Sequence, residues 1–342
     1  MAHHTQIVLG HGGGGRWTSD LIRRLFQPRL GNAVLLAGDD SAVLKGGDLL
    51  QDSGELALST DAHIVQPIVF PGGDIGRLSI CGTVNDLAMV GARPLWLTAA
   101  FILEEGLPMT ALEEIVDSMR EAAAEAGVAV VAGDTKVAER GKVDRLYITT
   151  TGLGRIPEGR RTRGAEVRPG DAVLVSGPLG DHGIAVLSAR GELEFETEVR
   201  SDVAPLNGLV EAMYAAGAPI HALRDPTRGG LAAALNELSG QSRVGIVLEE
   251  EALPVRPAVA SACEMLGFDP LQIANEGKLV AFVPEDDADR VLDAMRRHWY
   301  GTEAVRIGRV EESPAGRVLM RTRIGGTRII DAPAGELLPR IC

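Results

Sequence analysis

The sequence ends in GELLPRIC, so its last residue is a cysteine, Cys342. A chain terminus is ordinarily loose and open to solvent, and an exposed thiolate oxidises and reacts readily. Such a thiol is either incidental or the place where a chemical group is carried or transformed. The other residues of the chain that could do chemistry have to decide between these two interpretations.

A run of glycines near the amino terminus is the second candidate for chemistry. In GHGGGGR these glycines lack side chains, so successive backbone N–H groups are free to form an anion-binding nest. A helix predicted to begin just beyond them adds a favourable dipole. The Lys-Ser/Thr ending of a Walker A loop is missing, and a phosphate site and a flexible linker are equally compatible with the stretch. The four residues are Gly12, Gly13, Gly14 and Gly15.

Acidic residues at strand ends and in glycine-rich stretches form a third group. Mg²⁺ bound to a nucleotide is usually held by a few carboxylates together with phosphate oxygens. A single Asp in such a place is more often a turn or cap residue. Asp86 differs, because it lies within a predicted apolar helix, where a charge is costly unless it is paired or bound to metal. The group comprises Asp39 and Asp40 in AGDDSAVL, Asp61 in LSTDAH, Asn85 and Asp86 in TVNDLAM, and Asp134 in VAGDTKV.

Composition limits the classes of partner. The 342 residues are 45% hydrophobic, which is enough for two domains of ordinary size. Lys plus Arg is 34 and Asp plus Glu is 47, a net charge of −13 that disfavours nucleic acid as a partner. Three cysteines fit a reducing, cytoplasmic location. There is no apolar run of ~18 residues and no signal-peptide pattern, so no membrane association is expected.

Two series of strand and helix signals meet at the turn VRPGD, residues 167–171. In the first series, GDIGRLSICGTVNDLAMVGARP predicts a helix that stops at Gly91, and LWLTAAFIL predicts a buried strand. TALEEIVDSMREAAAEAG predicts a helix with Thr110 as its cap and Gly127 at its end.

The second series predicts a helix in DPTRGGLAAALNELSG with Asp225 and Thr227 as caps. LQIANEGKLVAFVP predicts two strands joined through residues 275–277. His182 in GPLGDHG is interpreted as a helix-start residue, and Cys81 and Cys263 as core residues on apolar helical faces.

The order of motifs along the chain is specific. GGGGR, GDDSAVL, STDAH, GTVNDLAMVGARP, AGDTKV, DPTRGGL, NEG and a terminal PRIC follow one another. Together they resemble the HypE family, the carbamoyl dehydratases of hydrogenase maturation. That family belongs to the ATP-using superfamily of aminoimidazole ribonucleotide synthetase (PurM-like) and selenophosphate synthetase. The resemblance covers essentially the whole chain, and PRIC marks the family most narrowly.

The resemblance implies an α/β (α+β) fold of two PurM/AIR synthetase-like domains. Residues 1–165 would form the ATP-binding and dimerisation domain, whose strands build a barrel across a homodimer. Residues 166–333 would form a C-terminal α/β sandwich. Residues 334–342 would form a flexible tail that carries Cys342 and alternates between an outward and an inward position.

The resemblance also implies a reaction sequence. The partner carbamoyltransferase HypF would place a carbamoyl group on Cys342. The enzyme would then use ATP to phosphorylate the amide oxygen and dehydrate the thiocarboxamide to a thiocyanate. The nitrile would pass to iron on a HypC–HypD scaffold complex, as a cyanide ligand of the [NiFe] hydrogenase centre.

Site residues carried over with the resemblance fall into three sets. Beside Cys342, Glu276 of NEG and Lys136 of GDTKV lie near the reacting group, and which of them is the base is left open. The alternative to a catalytic role is a hairpin-turn residue for Glu276 and a solvated surface lysine for Lys136. Gly12–Gly15, Asp61, Asn85, Gly133 and Asp134 would bind ATP, and Asp39, Asp40, Asp61, Asp86 and Asp134 would hold Mg²⁺.

Two rival interpretations remain. A sibling ATP-dependent synthetase or kinase of the same superfamily would have no use for a terminal cysteine, and GHGGGGR lacks the Cys and Lys pair of selenophosphate synthetase. A non-catalytic carrier or metallochaperone would hold on Cys342 a group made elsewhere.

Overall fold

Two larger β-sheets organise the part of the chain that the computed structural model describes. The described residues are 15–21, 23, 42–45, 54–191, 198–335 and 338–342. A further pair of short strands forms a two-stranded sheet. All of the structural statements that follow concern these residues.

The first large sheet has five strands in the order β1-β2-β7-β5-β6. β5 and β6 are parallel, and the other neighbours are antiparallel. Helices α2 and α3 pack against each other, and α2 lies against β2, β5 and β7. The elements are α1 (Arg16–Leu21), β1 (Ala42–Lys45), β2 (Glu55–His63), β3 (Val69–Phe70), β4 (Gly73–Asp74), α2 (Ile75–Met89), β5 (Arg93–Glu104), α3 (Met109–Ala126), β6 (Ala129–Ala138) and β7 (Leu146–Ile156).

The second large sheet has seven strands in the order β14-β13-β10-β12-β8-β11-β9, and only β10 and β13 are parallel. Its elements are β8 (Asp171–Val175), α4 (Asp181–Ala189), α5 (Asn207–Ala215), β9 (Ala222–Arg224), α6 (Gly230–Ser242), β10 (Gly245–Glu249), α7 (Pro257–Leu266), β11 (Val280–Pro284), α8 (Ala288–Arg297), β12 (Val305–Glu311), β13 (Arg317–Arg321) and β14 (Thr327–Ile329).

This seven-stranded sheet is covered on both faces. Alternate residues of a strand point to opposite faces, and in β8 Val173 packs into one core while Leu174 packs into another. The first core is closed by α6 through Leu235, and the second by α5 and α8 through Leu209 and Val291. The result is a layered α/β sandwich, the arrangement that the family resemblance implied for this half of the chain.

Helix α2 carries the NDLAM motif and is almost entirely buried. It begins after Asp74, whose carboxylate accepts a hydrogen bond from the Arg77 backbone N–H at 2.9 Å. It ends at Met89, before Gly91, which has a φ of 76° that a glycine adopts at little cost. The sequence prediction for this helix is therefore confirmed.

Three local sequence predictions are wrong. Helix α3 has Pro108 at its N-cap position, so Thr110 does not cap it. Helix α6 begins after Gly229, which leaves Asp225 and Thr227 outside the helix. LQIANEGKLVAFVP contains one strand, β11, preceded by a short 3₁₀ helix, because residues 273–279 make loop contacts instead of pairing.

Strand β5 is only partly buried, which corrects the prediction of a buried strand. The Trp96 residue is 51% exposed, and Leu95 and Ile102 are also open to solvent. Cys81 and Cys263 are buried, as predicted. No helix among the described residues combines the length and apolar character needed to cross a bilayer.

The close contact between α2 and α3 predicts the effect of filling one glycine. A Cβ at Gly76 would lie 2.3 Å from the Ile115 carbonyl oxygen, so Gly76→Ala must push the two helices apart. We expect a loss of roughly 2 kcal/mol of unfolding free energy, measured by urea denaturation. Gly240→Ala in α6 is the matched control, because a Cβ there meets nothing within 4 Å. The control should gain up to about 1 kcal/mol from helix propensity, and equal effects at both sites would contradict this packing argument.

Candidate functional site

A polar cavity of about 270 Å³ lies where the first sheet and α2 meet the second half of the chain. Residues from distant parts of the sequence line it, including the last residue. The residues that line the cavity include Thr60, Asp61, His63, Gly82, Asp86, Arg224, Asp225, Thr227, Arg228, Glu237, Glu276 and Cys342. The structure thus brings together four of the predicted site residues: Asp61, Asp86, Glu276 and Cys342.

The tail turns inward to reach this cavity. Leu338 and Ile341 are 7% and 4% exposed and belong to a hydrophobic core that includes Ile184, Val259 and Ile273. Arg340 adopts a positive φ of 55°, which is uncommon for a residue other than glycine. A main-chain oxygen of Cys342 accepts a hydrogen bond from the backbone N–H of Ile64 at 3.2 Å. Ile64 directly follows β2.

The Cys342 thiol is held in its neutral form. Burial raises the pKa of this thiol well above its usual value, and the Glu276 and Asp61 carboxylates and a hydrogen bond to Glu276 raise it further. The Arg228 guanidinium acts in the opposite direction. Since the thiolate is the nucleophilic form of cysteine, the thiol is unreactive in this inward position.

Glu276 is the carboxylate next to the thiol. It is 4% exposed, and burial raises its pKa well above the usual value, with Asp225, Asp61 and Asp202 adding to the effect. Its backbone N–H donates to Asp202 Oδ1 at 3.0 Å. Among the described residues its Oε1 has no hydrogen-bond partner, so one buried oxygen atom is available to a group on the sulfur.

Arg228 is the cation that balances the cavity. Cys342 and the carboxylates of Asp61, Glu276 and Asp86 raise the pKa of its guanidinium above the usual value, although burial opposes the effect. Sequence analysis missed Arg228, even though it lies within the quoted DPTRGGL motif. The signal available was a cation beside Asp225 in a glycine-rich segment, which we interpreted as a helix start.

Asp225 and Thr227 line the cavity instead of capping α6. Asp225 is buried, and desolvation raises the pKa of its carboxyl to about 6, with Asp61 adding to the effect and Arg224 and Arg228 opposing it. A perturbed carboxyl in a cleft, beside other titratable groups, is typical of functional sites.

Asp61 and Asp86 bring carboxylates from β2 and α2 into the cavity. The Ser59 hydroxyl donates to Asp86 Oδ2 at 2.6 Å, so the charge inside the helix is paired. Asp61 Oδ2 lies 3.6 Å from His63 Nε2. A Cβ at Gly82 would lie 3.1 Å from Asp61 Oδ2 and 3.0 Å from His63 Cε1, so the glycine of GTVND makes room for both side chains.

Asn85 lies behind the cavity and joins two parts of the fold. Its amide Nδ2 donates to the Ala204 and Glu276 carbonyl oxygens at 3.0 and 3.4 Å, and its Oδ1 accepts from the Leu206 backbone N–H at 2.7 Å. The side chain is 1% exposed. Asn85 therefore fixes the position of Glu276, and its predicted contact with a nucleotide stays a prediction.

Gly133, Asp134 and Lys136 lie on β6, at the other side of the first sheet from Asp61. Strand pairing places Gly133 opposite Ala99, Ala99 opposite Thr150 and Thr150 opposite Asp61, so three strand spacings, roughly 14 Å along the sheet, separate the two edges. Lys136 is exposed, and its Nζ lies 3.0 Å from Asp134 Oδ2. Within one chain, the structure does not bring these residues to the cavity.

The remaining predicted residues are Gly12, Gly13, Gly14, Asp39 and Asp40, and they lie outside the described residues. Gly15 is described, and it packs so closely on the tail that a Cβ there would lie 2.4 Å from the Pro333 carbonyl oxygen. No group of three or more His, Cys, Asp or Glu residues suited to a metal ion occurs in the described part of the chain. The predicted metal set therefore remains a prediction.

Comparison with protein families identifies both halves of the chain. The model of the AIR synthase related protein N-terminal domain matches residues 38–156. The model of the corresponding C-terminal domain matches residues 168–321. The cavity lies between elements that belong to both matches.

Individual proteins extend this similarity over almost the full length. A carbamoyl dehydratase HypE from Cupriavidus necator is 54% identical over 337 residues, covering 98% of this chain and 95% of the relative. A crystal structure of a HypE–HypF complex is similar with 51% identity and a TM-score of 0.85, covering 92% of this chain and 99% of the other. A crystal structure of the hydrogenase maturation protein HypE in complex with ATP has 48% identity and a TM-score of 0.82, covering 98% and 100%.

The raised pKa of Asp225 predicts a pH-dependent cost to stability. Its folded-state pKa is about 6 against an ordinary value of 3.8, so between these values the folded protein keeps a proton that the unfolded chain releases. Stability must then fall as the pH rises through this window. Asp225→Asn removes this loss. From about pH 4 to pH 7 the unfolding free energy of the variant should therefore rise, relative to that of the wild type, by on the order of 2–3 kcal/mol.

Urea denaturation at each pH measures this difference. Asp286→Asn, at an exposed position, serves as the control and should follow the wild-type profile. Parallel profiles for wild type and Asp225→Asn would show that the Asp225 carboxyl is not strained by its surroundings.

Proposed function

The chain belongs to the HypE family of carbamoyl dehydratases, and from this membership we propose that it dehydrates a carbamoyl group on its own Cys342. The product is a cysteine thiocyanate, and the nitrile supplies the cyanide ligand for the iron of the [NiFe] hydrogenase centre. One observation carries the proposal: Cys342 lines a polar cavity beside a buried glutamate, Glu276, to which its thiol is hydrogen-bonded.

The reaction needs ATP because hydroxide is a poor leaving group from an amide. The oxygen of Cys–S–CO–NH₂ attacks the γ-phosphorus of ATP, ADP departs, and one N–H proton is lost, which leaves Cys–S–C(=NH)–OPO₃²⁻. The C–O bond then breaks, and the remaining N–H proton leaves with phosphate as HPO₄²⁻ while the C≡N bond forms. Catalysis of such a transfer rests mainly on positioning and charge stabilisation.

Glu276 is the residue that we assign as the base for the amide protons. Its carboxyl is buried beside the sulfur, and a carboxylate with a raised pKa is a stronger base once ionised. The unpartnered Oε1 offers an acceptor for an N–H of the carbamoyl group. Asn85 and Asp202 hold the Glu276 backbone from two sides, which keeps the carboxyl beside the thiol.

The phosphate end of ATP is assigned to the acidic side of the cavity. Asp61 and Asp86 are hard oxygen ligands, and together with phosphate oxygens they fit Mg²⁺, which would neutralise charge on the transferred phosphoryl group. Asp39, Asp40, Asp134 and the Gly12–Gly15 loop stay predicted partners of this nucleotide. The related structure of a HypE–ATP complex supports ATP as the substrate.

A homodimer through the β6 edge is part of the proposal. Among the described strands β6 ends the first sheet, and it exposes Val131 and Val137 at 59% and 67%. Exposed apolar strand edges are templates for pairing with another chain. The role of Lys136 depends on this dimer, because reaching a carbamoyl group from the far side of the sheet requires a second copy.

Partners and organisation complete the proposal. The similarity to the HypE component of a HypE–HypF complex supports HypF as the enzyme that carbamoylates Cys342. We further propose transfer of the nitrile to a HypC–HypD complex, a cytoplasmic location, and domains at residues 1–165 and 166–333 with a tail at 334–342.

Mass spectrometry of the intact protein tests the central step. Incubation with HypF and its substrates should add about 43 Da, and Mg-ATP should then remove about 18 Da, the formula masses of a carbamoyl group replacing hydrogen and of water. Both changes must map to Cys342, and Cys342→Ser should show neither. Glu276→Gln should gain the carbamoyl group normally and lose water at least about 100-fold more slowly.

If the wild type gained the mass of the carbamoyl group but never lost the mass of water, the chain would be a carrier. A sibling synthetase would show neither mass change. Rapid dehydration by Glu276→Gln would remove Glu276 from its assigned role while leaving the reaction itself intact.

The dimer is tested by placing a charge on the exposed apolar edge. Val137→Lys should weaken self-association at least about tenfold, because a lysine at a packed interface must be desolvated. Sedimentation velocity over a range of concentrations measures the dissociation constant. Ile324→Lys is the matched control, since Ile324 is also apolar and 96% exposed but lies in a turn beyond β13. An unchanged dimer in Val137→Lys would place the interface elsewhere.

A further inference from the structure

The main chain of the tail is bound as closely as its side chains. The main-chain oxygens of residues 339, 340, 341 and 342 each accept a hydrogen bond from the body of the protein. Two of these come from the segment after β2: Ile64 N–H donates to Cys342 O at 3.2 Å, and Gln66 N–H donates to Arg340 O at 3.1 Å. The tail therefore docks along residues 64–66 through main-chain hydrogen bonds.

Arg190 supplies a second set of contacts from the end of α4. Its Nε donates to the Gln66 carbonyl oxygen at 2.9 Å. Its Nη2 donates to the Arg340 carbonyl oxygen at 2.8 Å and also to that of Pro339. The Arg190 guanidinium thus connects the tail to residues 64–66, along which the tail docks.

His182 holds the carbonyl between these two. Its Nε2 lies 2.8 Å from the Ile341 carbonyl oxygen, which can only accept, so Nε2 must carry the proton. Its Nδ1 lies 2.8 Å from Ser201 Oγ, which itself accepts from the Val203 N–H at 3.1 Å. The hydroxyl proton is then free to donate to Nδ1, and burial lowers the pKa of the ring, which suits this neutral tautomer.

The GPLGDHG motif shapes the receptor beside His182. A Cβ at Gly183 would lie 2.4 Å from Ile273 Cγ2 and 3.3 Å from Leu338 Cδ1, so glycine is needed for the tail to pack closely here. The Phe70 ring meets the His182 ring edge-on at 5.4 Å between centroids. This explains a motif that neither the phosphate chemistry nor the base accounts for.

We propose that His182 and Arg190 are positioning residues that clamp the main chain of the tail and thereby place Cys342 beside Glu276. The clamp contacts backbone carbonyl oxygens and not the sulfur, so it accepts the free, carbamoylated and cyanated tail alike. Its release is required for the reactions that take place outside the cavity. This inference rests on the proposed function, in which one thiol must be reached both by a partner enzyme and by ATP.

The test separates reactions of the outward tail from the reaction of the inward tail. Alkylation of Cys342 by iodoacetamide, followed by mass spectrometry of the tail peptide, reports outward tail, since Cys81 and Cys263 are buried. The single-turnover loss of water from the carbamoylated protein with Mg-ATP reports inward tail. Arg190→Gln and His182→Leu should raise the alkylation rate about tenfold and lower the dehydration rate by a similar factor.

Two further variants guard against a purely structural effect. His182→Gln keeps an N–H donor and should restore much of both rates. Arg290→Gln removes an exposed arginine paired with Asp287 and should leave both rates unchanged. Both rates falling together, or neither changing in Arg190→Gln, would overturn the clamp. If wild type lost no water, the proposed function would fail, and an unchanged alkylation rate in the variants would separately overturn the clamp.

Discussion

Crowding of acidic groups around the Arg228 guanidinium is the constraint on which the site depends. Asp61, Asp225 and Glu276 approach Arg228 in one cavity, where the carboxylates disfavour the ionisation of Asp225 and Glu276. Burying ionised groups with incomplete pairing is expensive. The folded protein therefore retains protons on groups that are ordinarily ionised, and an unpartnered Glu276 oxygen remains at the sulfur. The proposed ATP-dependent chemistry uses this combination of retained protons and a free acceptor oxygen beside the sulfur.

The rest of the fold holds these charges together. Asn85 on α2 bonds the loop at 204–206 and the Glu276 carbonyl, so the helix of the first half positions Glu276, which belongs to the second half. Lys278 pairs with Asp202 at 3.2 Å, and Asp202 in turn holds the Glu276 N–H. These hydrogen bonds and the ion pair are buried, so breaking one of them would leave a polar group without a partner in a low-dielectric environment. The site is consequently a product of the junction between the two halves, and neither sheet contains it alone.

The sequence predicted more of the fold than of the site's geometry. Periodicity and helix-ending glycines predicted α2 and α3, because local preference and burial agree there. The sequence analysis placed Asp225 and Thr227 at a helix cap, because a helix cap and a cavity wall use the same residue types and differ only in tertiary contacts. Arg228 was missed for the same reason, since its partner Cys342 is more than 100 residues away in the chain. His182 begins α4 as predicted, but its equally distant contact with Ile341 has no local signal. Lys136 was carried over by resemblance, and sequence gives no sign that β6 lies across the sheet from Asp61.

The inward position explains how a terminal thiol avoids damage. With its pKa raised by burial and by neighbouring carboxylates, Cys342 is protonated where it is held, and a protonated thiol is a poor nucleophile. The same surroundings that protect the sulfur prevent it from attacking an activated carbamoyl group inside the cavity. In the proposed reaction sequence, carbamoylation therefore takes place with the tail outward, where the thiol is free of these surroundings. The proposed dehydration needs no thiolate, because the sulfur is by then bonded to carbon, and so the cavity suits this second proposed step.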